Sequence, residues 1–149
     1  MTDKDRTPAS EPESPITVKI EWLDKMAREP AFKSVRSLPW PTKLGYWIAR
    51  NLAIVEREHK IIDERNMEML KQFCELDDNG NLKRPGGPTG PLVWKDYGMY
   101  ESERKKLLDE EVELTGAKLL NINLDDEEIK KAGPMPAHWE VLFPFMAEK

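Results

Sequence analysis

Between Gly45 and Gly80 the chain has no proline and no glycine, and its apolar residues recur with a helical period. Ile48, Leu52, Val55, His59, Ile62, Asn66, Met69 and Phe73 are spaced 4, 3, 4, 3, 4, 3 and 4 residues apart. Glu56, Arg57, Glu58, Lys60, Glu64, Arg65 and Glu68 fill the positions between them. Such a heptad seam predicts one helix over about 42–75, opened by Thr42 as a cap. At 1.5 Å per residue that helix is a rod roughly 50 Å long. A chain of 149 residues can bury one modest core, which leaves part of such a rod to be covered by its own second helix or by another chain.

The rest of the chain reads as smaller pieces. Residues 1–15 hold three prolines, four acids and no large apolar side chain after Met1, and read as an extended or disordered arm. Ile16, Val18, Ile20 and Trp22 alternate with polar residues, which predicts a half-buried strand. Leu23 to Leu38 reads as short helical segments, with Pro30 in the first turn of the second. Pro39-Trp40-Pro41 makes a stiff corner before the rod. After the rod, Asn79-Gly80 predicts a tight turn joining Phe73–Leu76 to Leu82-Lys83. The Pro/Gly loop 84–91 follows, then a second helix over about 95–111 with Tyr97, Tyr100, Leu107 and Leu108 facing inward. Glu111 to Leu114 alternates like a short strand. Asp125 with Glu128 reads as a capping box, and Pro136 as the start of a last short helix that stops before Pro144. The fold class expected is mainly α: a long antiparallel helical hairpin with small β-strand elements and an extended N-terminal arm, residues 16–149 forming a single helical domain.

Composition argues against several functions. The net charge is −5 with 34% charged residues of mixed sign, whereas a nucleic-acid binder needs clustered positive surface. No run approaches the roughly 18 apolar residues of a membrane span, and the charged start Met1 to Arg6 does not read as a signal peptide. One cysteine, Cys74, excludes an internal disulfide framework, and its apolar neighbours predict a buried thiol. Aligning Gly80 with the sixth position of a calcium loop leaves Gly86 where the bidentate glutamate belongs, so a plain turn is expected. His59 and His138 have no metal-ligand spacing around them, the acidic runs 109–113 and 125–128 read as solvated faces, and no nucleophile or phosphate-loop motif is present. No catalytic residue, metal or cofactor is therefore expected.

The residues that remain suit protein contacts. His59 and Asn66 are polar members of the seam, which structural burial explains, but which also suit a role in register or partner choice. Ile48, Leu52, Val55, Ile62, Met69 and Phe73 are the anchors that a helix-in-groove contact would use. Of the five tryptophans, Trp40 and Trp94 fall on loops or loop edges, where local packing competes with an interface role.

The stretch Leu38-Pro39-Trp40-Pro41 through Leu52, the charged helix, Asp78-Asn79-Gly80, the Pro/Gly loop and Leu107 to Leu114 resemble small proteins encoded by tailed bacteriophages and prophages. The end, Glu140-Val141-Leu142-Phe143-Pro144-Phe145, resembles theirs too. That resemblance implies a virion structural protein, such as a capsid decoration or head/tail accessory component. It would be assembled in the host cytoplasm, with other phage structural proteins or copies of itself as partners. The alternative is a transient assembly chaperone or regulatory binder absent from the mature particle.

Overall fold

The computed structural model describes residues 15–147. The arm expected over residues 1–15 therefore lies, apart from Pro15, outside the described residues. The chain is mainly helical, with one small two-stranded sheet. In order, β1 (Thr17–Lys19) leads into α1 (Ile20–Met26) and α2 (Pro30–Ser34), which tightens into a 3-10 turn over Val35–Ser37. The long α3 (Thr42–Phe73) comes next, then α4 (Tyr97–Leu108), β2 (Glu111–Glu113), α5 (Glu127–Ala132) and α6 (Pro136–Leu142), ending in a 3-10 turn over Phe143–Phe145.

α3 runs for 32 residues, as the seam predicts. Its start differs from expectation. Pro41 occupies the cap position, Thr42 is already helical, and no side chain caps the helix. The corner itself sets this start: the Trp40 indole N–H donates to the Val35 carbonyl at 2.7 Å, and the Pro41 carbonyl accepts from Gly45 N–H. At the far end Cys74 turns extended and bridges to Trp94. The tight turn then forms as expected: Leu76 bridges Leu82, and the Asp77 carboxylate accepts from the N–H groups of Asn79 and Asn81. Gly80, with φ +83°, supplies the left-handed residue that this turn requires.

The strand expected through Trp22 stops at Lys19. Its partner β2 is three residues long, pairing antiparallel with Val18 opposite Val112, and the ladder ends on the bond from Ile20 N–H to the Glu110 carbonyl. Ile20 instead opens α1, which carries Leu23 and Met26 into the core. The expected Asp125–Glu128 capping box does not form, and a single side-chain cap one residue later replaces it. Asn123 already holds Asp125 in a turn through its side chain, so Asp126 becomes the cap and accepts from Glu128 N–H at 2.8 Å.

The core gathers around the N-terminal half of α3. Ile48, Leu52 and Val55 have no exposed surface, and they pack with Leu23, Phe32, Val35, Leu114, Val141, Leu142 and Phe145. Asn51, equally buried, reads the backbone across from it: its amide donates to the Lys118 carbonyl at 2.8 Å, and its carbonyl accepts from Lys118 N–H at 2.9 Å. That pair pins the stretch after β2 onto the rod, and the C-terminal tail is stitched to the same stretch through Leu120 and Ala147. Among the described residues no helix is long and apolar enough to cross a membrane.

Candidate interaction surface

The second half of α3 is covered from one side by α4. Lys95 N–H donates to the Phe73 carbonyl, the Tyr100 hydroxyl donates to Asn66 Oδ1 at 2.8 Å, and the Arg104 guanidinium donates to the same oxygen at 3.0 Å. No residue of α4 is fully buried. Tyr97, expected to face inward, is half exposed, because the ring cluster beside it already fills the space against Trp94. Trp94, Tyr97 and Tyr100 form a tight aromatic group, with Trp94 4.9 Å from each tyrosine ring centroid. Met99 beside them is 46% exposed. Below this group a shallow groove of about 440 Å³ runs between the helices, floored by Met69 and Leu107 and rimmed by Arg65, Glu68 and Glu103.

The residues singled out from sequence separate here. Trp94, Asn66 and Met69 lie half-buried on the α3–α4 surface, Ile62 is 5% exposed beneath its edge, and His59 is half-buried beside α1. Trp40 does not join them. It is buried against Trp139 with its N–H satisfied by Val35, so the interface expectation for it is corrected: it is a core side chain. Of the seam anchors, Ile48, Leu52 and Val55 are likewise consumed by the chain's own core.

A polar network that periodicity could not reveal ties α1, α3 and α4 together. Asp24 is buried on α1, and its carboxylate accepts from Arg28 at 2.9 Å and from Arg104 at 3.1 Å, and lies 3.2 Å from His59 Nε2. Asp63 lies on the other side of the ring, 3.6 Å from His59 Nδ1, and also pairs with Arg28. Burial pushes the Asp24 carboxyl upward, but hydrogen bonds from Arg28 and His59 and the charges of Arg28 and Arg104 outweigh it and hold the group below its ordinary value. Asp24, His59 and Asp63 offer ligand atoms within 4.8 Å of one another, the one grouping with metal-ligand chemistry among the described residues. Two guanidinium groups already occupy the Asp24 oxygens, so a divalent cation would meet adjacent positive charge and lose those bonds. The cluster is suited to holding three helices in register.

Ser34 and His138 also meet, with Oγ 2.8 Å from Nε2, the separation of a nucleophile and its base. The tautomer argues otherwise. His138 Nδ1 accepts from Met135 N–H at 2.9 Å, so the proton of the neutral ring is on Nε2 and is donated to Ser34. Ser34 in turn leans on the Ala31 carbonyl, and the pair locks α2 to α6 instead of activating a hydroxyl. Cys74 is fully buried, and desolvation pushes its thiol up, away from the reactive thiolate.

No family model, curated protein or solved structure matches this chain.

Proposed function

We propose that the protein is a non-catalytic binding component that works as an antiparallel helical hairpin, docking through the open end where α3 and α4 meet. The observation that carries this reading is the Trp94–Tyr97–Tyr100 group. Three rings stand together at the end of a rigid rod, one of them half exposed, beside an exposed methionine. Large, stiff aromatic side chains contribute much contact area at little entropic cost, and they concentrate where interfaces derive their energy. The long α3 holds this group away from the core, and the Asp24 network fixes the angle at which α4 presents it.

The resemblance to tailed-phage proteins gives this binding role a setting: a virion structural protein, with the aromatic end seated on another particle component. Quantitative mass spectrometry of purified particles, calibrated against the major capsid protein, tests that setting. A fixed copy number matching the particle symmetry is the expected result. Absence from mature particles would remove the virion reading and leave an assembly factor that binds and departs.

A further inference from the structure

We propose that the groove beside the first turns of α3 is a docking site for a short acidic segment of a partner protein, one that carries carboxylates next to an apolar anchor. The groove lies at the end of the rod opposite the Trp94 group, and the proposal stands whether or not that group docks elsewhere.

The site is built around Trp47. Lys43, Tyr46, Trp47 and Arg50 follow the i, i+3, i+4, i+7 spacing that places side chains on one face of a helix. The Tyr46 ring meets the Trp47 indole edge-on, 5.2 Å between centroids, and is itself 57% exposed. The Arg50 guanidinium lies 5.7 Å from the centroid of that indole and the Lys118 ammonium 4.6 Å from it, both within cation–π range. The backbone of Lys118 is fixed in place, because the Asn51 amide bonds both its N–H and its carbonyl. Beside the indole runs a groove of about 380 Å³, lined by the half-buried Leu44, Trp47, Leu119 and Ile122 and flanked by the exposed Lys43 and Lys118.

Charge identifies the occupant. An unpaired charge on an exposed helix is ordinary, and the gathering of cations on one ring is what distinguishes this place. Arg36 also lies over a ring, that of Phe32 at 5.1 Å, but Glu56 answers its charge at 2.7 Å. At Trp47 two cations share one indole, Lys43 stands on the same face, and no carboxylate pairs with any of the three among the described residues. A carboxylate arriving there meets a guanidinium that can bind it through two N–H groups, and a neighbouring apolar side chain has the groove to enter. Arg, Trp and Tyr together are also the residue types that dominate interface energetics. Asp126 is the one acid lining the groove, and it caps α5 through Glu128 N–H. It tells against a nucleic acid, whose charge at every nucleotide would run past Asp126 and its acidic neighbours. A peptide can place its carboxylates at the cations alone.

Fluorescence anisotropy with labelled peptides, together with the tryptophan indole N–H resonances of the full chain, tests this. The probe is a short peptide with a pair of leucines set between glutamates, and the control carries glutamine for each glutamate. The acidic peptide is expected to bind, to shift the Trp47 indole resonance and not that of Trp94, and to weaken as salt rises. The glutamine control should bind at least about tenfold more weakly. Arg50→Glu and Lys118→Glu are each expected to weaken the acidic peptide about tenfold, with near-ultraviolet circular dichroism as the check on folding. Lys60→Glu, at an exposed position midway along α3, should leave binding unchanged. Absence of saturable binding by the acidic peptide overturns the proposal, as does equal binding of the control or tighter binding of an oligodeoxythymidylate. So do folded Arg50→Glu and Lys118→Glu variants that both bind like the wild type. Self-association of the peptide-free protein that Lys118→Glu abolishes would make a second copy the occupant and overturn it too.

Discussion

The two halves of α3 share one sequence pattern and differ in what covers them. In the N-terminal half the stripe is wide: Ile48, Asn51, Leu52, Ile54 and Val55 are all buried, wrapped by pieces drawn from both ends of the chain. In the C-terminal half Asn66, Met69 and Phe73 hold the same seam positions but are half-buried, and Met67 beside them is 44% exposed. A heptad seam thus states where a helix can be covered, and the number of elements that fold back onto it decides how far it is. The first half is the foundation, and the second is a projecting strut, steadied by α4.

Substitutions at equivalent seam positions should break this equivalence most sharply. Leu52→Ala, in the wrapped half, is expected to cost about 3.5 kcal/mol of unfolding free energy, because it leaves a cavity with nothing free to collapse into it. Met69→Ala, in the projecting half, should cost about 1 kcal/mol or less. Urea denaturation of the two variants compares them directly, and equal losses would remove the distinction between foundation and strut. Asn51→Leu comes next. It keeps the volume but strands the Lys118 N–H and carbonyl, for an expected loss of about 2 kcal/mol by the same assay. Leucine tolerated without loss would show that Asn51 is not the peg holding the post-β2 stretch.

Asp24→Asn sharpens the boundary between the halves, where the loss at neutral pH should be about 1.5 kcal/mol. Its sign with pH follows from the carboxyl being held below its ordinary value of 3.8. The folded state then binds that proton more weakly than the unfolded chain. The stabilisation is present above the ordinary value and is lost as pH falls through the lower, folded one. Wild type and Asp24→Asn should therefore differ at neutral pH and converge in strong acid. A difference that persists undiminished there would detach the network from Asp24's charge.

The parts legible in the sequence were those with local causes. The seam between two glycines marks α3 because helix period and breaker residues act within a few positions. The Asn79-Gly80 turn is legible for the same reason, and so is Pro136 at the start of α6. The end of β1 was not, since it depends on how short β2 is, almost a hundred residues on. Nor was the Asp24 network: residues 24, 63 and 104 share no spacing, and only the packing of α1, α3 and α4 makes them neighbours of His59. Asn51 escaped notice because it lies one position off the seam, yet the wider burial of that half makes it fully interior. A loop-edge position does not settle burial: the Pro39–Pro41 corner folds the Trp40 ring back onto Val35, whereas Trp94 stays half-buried beside α4.

Native-state hydrogen exchange along α3, resolved by residue, tests the central claim most directly. Amides around Ile48 to Val55 should exchange only through global unfolding, whereas those around Asn66 to Phe73 should open locally at a distinctly lower free energy, independent of denaturant at low concentration. Uniform protection from one end of the helix to the other, at the global value, would contradict the account and make α3 a single cooperative core helix.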